Sequence, residues 1–431
     1  MSQSALRRPD RPLASIDAAR WQHATVGVAF IVLVLLGARL QLSHTITVGY
    51  VAALVIAPLW LGALGKFRGA ASLFVLGIAC CLSGFWLLAL NAPDHQVDSS
   101  TAINNVTLLV GLLLTVGTVL WAKQVMPEWL IGLSYGLGML LGVSRSGAAA
   151  ENAWKFGYSV PVIVISLSIA YGVGRWGRRR QGLVEALTLT LLAVLCQLND
   201  SRSMFGMLGM VMILVLWQLV PRGKSGRRSV MKTMLALACM AVAVYDVLTS
   251  LLVEGYLGAA AQDRSVTQIN MTGSLILGGR PEMAATLGLF AQNPLGFGLG
   301  IIPSPTDVTV AKTGMASINY EPNNGYVEKY MFGSQFEVHS VVGDLWALFG
   351  IPALALASVI AVWALRAIVV GITHGRGSAL PLFLAVITLW NIFFSPLLTS
   401  VATMGLGLGL MLPKKNQQRE TSAAGPLQDA N

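Results

Sequence analysis

The chain alternates long apolar blocks with short polar stretches that carry most of its charges. A helix of about 20 apolar residues crosses the roughly 30 Å hydrocarbon core of a bilayer. We read twelve blocks as spans: residues 24–42, 46–65, 69–90, 104–122, 126–144, 158–174, 183–199, 203–220, 233–253, 350–372, 378–396 and 398–412. The pattern predicts an all-α, polytopic integral membrane protein with about 12 transmembrane helices.

Composition supports the same class of protein. The chain is 55% hydrophobic and only 11% charged, with a mean hydropathy of +0.68. A soluble domain carries about 25% charged residues. The first block, residues 24–42, is too long for a signal-peptide core, so we expect it to be retained as a span.

The net charge of +10 predicts topology rather than a nucleic-acid partner, because the basic residues cluster in short loops and at the ends. Such clusters remain on the cytoplasmic side of membrane proteins. With both termini cytoplasmic, twelve spans place every strongly basic loop inside. The clusters are Arg7, Arg8, Arg11 and Arg20; Lys66 and Arg68; residues 175–180; residues 221–228; and Lys414 and Lys415.

This topology divides the chain into four parts. Residues 1–253 form nine spans, residues 254–338 a large outward loop, and residues 339–412 an interfacial helix followed by the last three spans. The polar tail, 413–431, is predicted to be disordered and cytoplasmic.

The large loop is predicted to carry short helices. In "GRPEMAATLGLFAQNPLGFGLG" (279–300), Pro281 suits a first helical position, and the Asn-Pro pair ends the helix. Met283, Leu287 and Phe290 form an apolar stripe at helical spacing, which we expect to face the membrane surface or other spans.

Arginines on the predicted outer face are candidate anion ligands, because a guanidinium binds phosphate through two parallel hydrogen bonds. Arg280 precedes the loop helix, whose N-terminus adds partial positive charge; the alternative is a solvated loop arginine. Arg202 opens the eighth span, where a charge is costly unless it is paired or functional; the alternative is neutralisation by Asp200. Weaker candidates are Arg145, near Glu151, and Arg264, after Asp263.

His339, in "EVHSVVGDLWALFGIP" (337–352), lies where polar sequence gives way to apolar sequence. A neutral imidazole accepts a proton near neutral pH, which makes His339 a candidate general base; the alternative is a polar anchor at the interface. Glu337 and Asp344 are secondary candidates that could orient the ring or compete with it.

Several kinds of chemistry have no motif in the chain. We find no phosphate loop with its lysine, no Gly-x-Ser-x-Gly elbow and no metal-ligand spacing. Cys80, Cys81, Cys196 and Cys239 fall inside apolar blocks and predict no disulfide framework. We therefore do not expect nucleoside-triphosphate hydrolysis or metal hydrolase chemistry.

Three stretches, in order, resemble one protein family. "SRSMFGMLGM" (201–210) opens a span with Ser-Arg, residues 279–300 combine arginine, helix and Asn-Pro-x-Gly-x-Gly, and "HSVVGDLWALFGIPA" (339–353) has His339, Ser340 and Gly350 at the spacing of a ligase motif. These stretches resemble the O-antigen ligase and polysaccharide polymerase superfamily of bacterial membrane glycosyltransferases. The similarity covers roughly residues 180–372, and the first six spans show no such motif.

The resemblance implies glycan transfer at the outer face of the bacterial inner membrane, in a reaction that needs no nucleotide sugar, no metal and no other cofactor. The donor is a glycan on a polyprenyl diphosphate, the acceptor is a hydroxyl of a glycan or lipid-linked glycan, and other polysaccharide-assembly proteins are possible partners. By position, Arg202 and Arg280 would bind the diphosphate and His339 would be the base.

Three functions compete at this point. The leading one is a polymerase that joins lipid-linked repeat units. An O-antigen ligase that uses lipid A-core stays open, although Ala353 stands where ligases usually have Gly, Thr or Tyr. A flippase of lipid-linked sugars would need charges along several spans, whereas the middles of these spans are almost uncharged.

Overall fold

The computed structural model describes residues 13–173, 178–219, 230–256, 258–374 and 377–415. This part of the chain is helical apart from one small hairpin, in which β1 (Gln41–Ser43) pairs antiparallel with β2 (Ile46–Thr47), and two isolated bridges. The basic segment 221–228 and most of the tail, from 416 onward, lie outside the described residues, as does the first half of the basic segment 175–180.

The N-terminal part up to residue 253 contains eleven of the described α-helices. They are α1 (Leu13–Ala38), α2 (Val48–Val55), α3 (Ala57–Leu64), α4 (Ala70–Asn91), α5 (Ser99–Val125), α6 (Glu128–Leu141), α7 (Ala148–Glu151), α8 (Ser159–Val173, preceded by a π-helical turn at Trp154–Tyr158), α9 (Arg178–Leu198), α10 (Arg202–Leu219) and α11 (Val230–Val253).

The remainder holds the large loop and the last long helices. Its elements are α12 (Ala259–Thr272), α13 (Leu275–Gly279), α14 (Glu282–Gln292), α15 (Pro305–Ala316), a π-helical turn (Val327–Met331), α16 (Val341–Phe349), α17 (Ile351–His374), α18 (Ala379–Phe394) and α19 (Leu397–Met411).

The protein is a multi-pass, all-α membrane protein. Six helical segments of the described chain are long and apolar enough to cross a bilayer: Ala70–Asn91, Ser99–Val125, Trp154–Val173, Arg180–Leu198, Arg202–Leu219 and Ile351–His374. Four shorter apolar helices accompany them: Gln22–Ala38, Glu128–Leu141, Ala379–Phe394 and Leu397–Met411. The count of twelve spans therefore stays a prediction.

The predicted second span, 46–65, is not one continuous helix. It is divided between α2 and α3 at Ile56, whose backbone leaves the helical region at φ −89° and ψ 12°. Pro58 follows in the first turn of α3 and has no N–H with which to continue the hydrogen bonds of α2. The apolar pattern alone did not show this break.

Glycines bring α1 and α6 into close contact. A Cβ atom on Gly37 would overlap the backbone of Tyr135, and Cβ atoms on Gly138 and Gly142 would overlap the backbone of α1. Small residues at this spacing let two membrane helices approach backbone to backbone. Gly138 within α6 and Gly142 at its C-cap therefore contribute to packing against α1.

Hydrogen bonds divide the loops into two groups, one at each end of the long helices. One group joins Lys66 to Gln124, Arg68 to Pro413, Glu185 to Ser378, and Gln218 to Gly377. The other joins Arg39 to Leu398, His44 to Ser100, Asp98 to Gly300, and Asn152 to Asn199. Loops that the predicted topology places on the same side thus contact one another, while the cytoplasmic assignment of the first group stays a prediction.

The large loop is folded and has its own hydrophobic cluster. Ala285 and Leu289 of α14, Ala311 and Met315 of α15, and Phe336 pack together, and Trp346 of α16 joins this cluster to the long helices. The expectation of an ordered loop with short helices is confirmed.

Three glycines attach this loop to the membrane helices. Gly296, Gly298 and Gly300 all have positive φ, where glycine has no Cβ penalty. Side chains there would overlap the backbones of α16, α4 and the start of α5, and the Phe297 and Gly298 N–H groups donate to the Ala347 carbonyl. The segment after the Asn-Pro pair therefore fixes the end of α14 against the long helices.

Candidate functional site

His339 lies two residues before α16, with its backbone in the left-handed region at φ +56°. Ser340 is the N-cap and accepts a hydrogen bond from the Gly343 N–H. The Nδ1 atom of His339 is 3.1 Å from the carbonyl oxygen of Glu337, which can only accept, so Nδ1 carries the proton. In the neutral ring the Nε2 atom is then unprotonated and able to accept a proton.

Asp344 is committed to the backbone. It is buried in α16, and its two carboxylate oxygens accept hydrogen bonds from the N–H groups of Val338 (2.8 Å) and Leu397 (2.7 Å). Burial raises the pKa of Asp344 to about 8; the two N–H donors act in the opposite direction, and the Glu337 charge adds to the increase. Asp344 therefore joins the start of α16 to the start of α19 and positions the segment that carries His339.

Arg280 lies between α13 and α14, with Pro281 as the N-cap of α14. Its guanidinium donates to Oε1 of Glu282 over 3.3 Å. The Glu282 side chain is 2% exposed and that of Arg280 is 30% exposed, so a buried carboxylate holds a partly accessible cation. One N–H group of the guanidinium makes this bond, and an arginine has five.

Tyr326 connects Glu282 to His339. Its hydroxyl donates to Oε2 of Glu282 over 3.4 Å, and its ring centroid lies 6.2 Å from that of His339. Burial raises the pKa of Tyr326, and the negative charge of Glu282 adds to the increase, so the phenol keeps the proton that it donates. The structure therefore brings Arg280 and His339 together through Glu282 and Tyr326.

The sequence pattern identified neither of the two connecting residues, Glu282 and Tyr326. Glu282 is the first residue of α14, a position where a carboxylate is expected to be solvated beside the helix dipole, and nothing in the pattern showed its burial. Tyr326 follows the polar segment "EPNNG" (321–325), which has no hydrophobic period.

The arginines near the eighth span form a different set of contacts from those expected. Arg202 donates to the hydroxyl of buried Ser265 in α12 over 3.2 Å. Asp200 pairs at 3.1 Å with Arg264, whereas the alternative to a functional Arg202 was that Asp200 neutralises Arg202, its neighbour in sequence. That alternative was based on adjacency in sequence, whereas α12 folds back beside the start of α10.

Arg202 and Arg280 both adjoin the pair of helices α12 and α13. Arg202 contacts α12, and α13, which ends at Arg280, packs closely on α12 where Gly278 meets the backbone of Gln268. Among the described residues, no hydrogen bond or ion pair joins Arg202 to Arg280 or to His339. Arg145 is exposed in the loop between α6 and α7, and the structure shows no ion pair between it and Glu151 within the described ranges.

A histidine and a carboxylate pair across two loops of the same end of the molecule. The His95 Nε2 atom is 3.1 Å from Oδ2 of Asp307, and its Nδ1 atom is 3.2 Å from the Asn91 carbonyl. Asp307 also forms a capping box with Ser304 at the start of α15. The pair fastens the loop between α4 and α5 to the large loop, and the spacing of 212 residues between its members left no signal in the sequence.

Comparisons with protein-family models, with curated proteins and with solved structures find no match to this chain. The functional assignment therefore depends on the residues of the site and their geometry.

Proposed function

We propose that this chain is a metal-independent membrane glycosyltransferase that works at the outer face of a bacterial inner membrane. It transfers a glycan from a polyprenyl diphosphate to an acceptor sugar hydroxyl, and its main activity is the polymerisation of an exopolysaccharide or O-antigen repeat. In this proposal twelve helices cross the membrane and both termini are cytoplasmic.

One observation carries the proposal: Arg280 and His339 are linked through Glu282 and Tyr326 in a folded loop beside the long helices. A cation with N–H donors that no described residue occupies suits a leaving diphosphate, and an imidazole with an unprotonated Nε2 suits an incoming hydroxyl. The transfer needs both groups close together.

The proposed step is a displacement at the anomeric carbon of the donor sugar. The acceptor oxygen forms a bond to the anomeric carbon of the donor, while the bond between that carbon and the diphosphate oxygen breaks. The hydroxyl proton passes to Nε2 of His339. The bonding electrons leave with the diphosphate, whose increased negative charge is stabilised by Arg280 and by Arg202.

The test is an assay of purified protein in nanodiscs with a lipid-linked glycan extracted from the native host. A polymerase converts the donor into a ladder of longer lipid-linked glycans, and the Arg280→Ala/His339→Gly double variant yields no ladder. Product formed only after addition of lipid A-core would indicate the ligase. Movement of intact donor between leaflets of a proteoliposome, without a new glycosidic bond, would replace the transferase with a flippase.

A further inference from the structure

Three tyrosines form a continuous aromatic surface next to His339. The ring of Tyr326 lies 6.4 Å from that of Tyr320 and 5.5 Å from that of Tyr330, measured between centroids. Tyr326 also contacts the His339 ring at 6.2 Å, so the candidate base is at the edge of this tyrosine cluster.

The local fold turns the outermost ring toward solvent. Val327 and Met331, at the two ends of the π-helical turn, are fully buried in the cluster of the large loop. Tyr330, between them, is 62% exposed. π-Helical turns are rare and frequently occur at functional sites.

Polar groups surround the rings. Asn324 donates to the Tyr320 hydroxyl over 3.2 Å and accepts from the Tyr326 N–H over 2.9 Å. Asn323 is exposed and hydrogen-bonded to Lys312, which also pairs with Glu328. The surface thus combines an exposed aromatic face with amides, a carboxylate and an ammonium group.

This combination matches the chemistry of a sugar ring. A pyranose has an apolar face of C–H groups, which packs on an aromatic ring, and a rim of hydroxyls that both donate and accept hydrogen bonds. Binding sites generally pair aromatic walls with a few polar groups that fix the orientation of the ligand. Tyrosine supplies both kinds of contact from one side chain.

We propose that the tyrosine cluster, Tyr320, Tyr326 and Tyr330, binds a pyranose of the acceptor glycan and presents its hydroxyl to His339. This inference rests on the proposed function. The acceptor is favoured over the donor because the cluster adjoins the base, whereas the anion ligands Arg202 and Arg280 suit the donor. A sugar is favoured over an anionic membrane surface because Glu321 and Glu328 balance the charges of Lys312 and Lys329, so the surface has no excess positive charge.

Binding is measured first, independently of transfer. The probe is the free glycan that mild acid releases from the lipid-linked donor of the native host, titrated onto the protein in nanodiscs. We expect Tyr330→Ala to weaken binding roughly threefold to tenfold, the range expected for one aromatic contact, and Tyr330→Phe to bind as the wild type does. Tyr256, a tyrosine that is 74% exposed outside this cluster, supplies the control Tyr256→Ala, which should leave binding unchanged.

Kinetics then separate the two substrates. In Tyr330→Ala the KM for the acceptor should rise by the same factor, with kcat and the donor KM unchanged; a rise in the donor KM alone would overturn the acceptor assignment. Wild-type protein that binds the free glycan but transfers nothing would retain the subsite and remove the proposed function. Transfer with an unchanged acceptor KM in Tyr330→Ala would retain the function and remove the subsite.

A fluorescent variant tests the membrane as the alternative occupant. Tyr330→Trp should change its emission on addition of the free glycan. The emission of this added indole is obtained by subtracting the emission of the wild type, which has 11 tryptophans of its own. Quenching of that indole by brominated lipids, with no response to glycan, would show that this side chain lies in the bilayer and would overturn the proposal.

Discussion

The backbone at His339 is held in a conformation that histidine does not prefer. A non-glycine residue at φ +56° costs about 1–2 kcal/mol, and it persists here because Ser340 caps α16 while the Nδ1–H group bonds to Glu337. Glycine would remove that strain. Selection for stability alone would favour glycine at this position. The strained histidine therefore supports a functional reason for the imidazole.

Substitution of His339 separates stability from catalysis. His339→Gly should melt at or above the wild-type temperature, because glycine tolerates the left-handed backbone, yet lose about 10²–10⁴ in turnover, the range for lost general acid–base catalysis. His339→Gln, which keeps hydrogen bonding but not basicity, should be equally slow with donor affinity retained. Full activity in the Gln variant would leave His339 only an anchoring role.

The two arginines provide a test of the diphosphate contact. Arg280→Ala and Arg202→Ala should each nearly abolish transfer in the nanodisc assay, with protein levels maintained. Lysine should restore little activity, because a point charge cannot reproduce the planar guanidinium fork. Arg366, a half-buried arginine that stacks on Trp363 in α17, supplies the control Arg366→Ala, which should remain active. An active Arg280→Ala would remove Arg280 from the site, and likewise for Arg202.

At the scale of elements, the apolar stripe of α14 is not the face of the helix that is buried inside the protein. Leu287 is 69% exposed and Phe290 is 38% exposed, whereas Ala284, Ala285 and Leu289 are buried. Inside the protein α14 packs on α15 through small residues: a Cβ atom on Gly314 would overlap the Ala284 carbonyl, and contact of the exposed stripe with the membrane surface stays a prediction. Close backbone approach decided the orientation, and the hydrophobic period does not encode it.

The existence and limits of this helix were nevertheless predictable. Helix punctuation is local, so Pro281 and the Asn293-Pro294 pair bracket α14 as expected. Side-chain pairs such as Glu282–Arg280 and His95–Asp307 depend on burial and on distant segments, which a single sequence does not determine. The candidate residues could be identified by type, but their connections through Glu282 and Tyr326 required the fold.

Asp344 should make stability depend on pH. Its folded pKa, about 8, is above that of an unfolded aspartate, so the folded state holds the proton more tightly. The resulting stabilisation is fully present below about pH 4, the unfolded pKa, and is lost as pH rises through about 8. The melting temperature in detergent should therefore fall between pH 5 and pH 9.

The neutral variant Asp344→Asn isolates this contribution. The amide presents a donor to one of the two backbone N–H groups, so the variant should be about 1–3 kcal/mol less stable at pH 5. It should also lose less stability than the wild type between pH 5 and pH 9, since it has no proton to release. Parallel pH profiles for the two proteins would show that Asp344 does not titrate in this range.

At the scale of the whole molecule, the arrangement of loops follows from charge and span parity, while the helices themselves depart from uniform spans. Within the described residues each of the twelve apolar blocks lies mainly on helix, yet one is broken before Pro58 and several are short of a full crossing. An even number of spans requires only that the chain reverse direction at each loop. The hydrogen bonds within the two groups of loops agree with such reversals. Length and continuity depend on packing, as the glycine contact between α1 and α6 shows.

The predicted orientation of the protein in the membrane places the large loop outside and both termini in the cytoplasm. Ser304 caps α15 through Asp307, so a cysteine there would disturb the loop; Thr313, on the exposed side of the same helix, is the better outer position. In a variant whose four cysteines are replaced by alanine, a membrane-impermeant maleimide should label Thr313→Cys in intact spheroplasts and leave Ser225→Cys unlabelled until the membrane is opened. Labelling at Ser225 alone would invert the topology, and the diphosphate site with it: Arg280 and His339 would then face the cytoplasm, and transfer at the outer face would be ruled out.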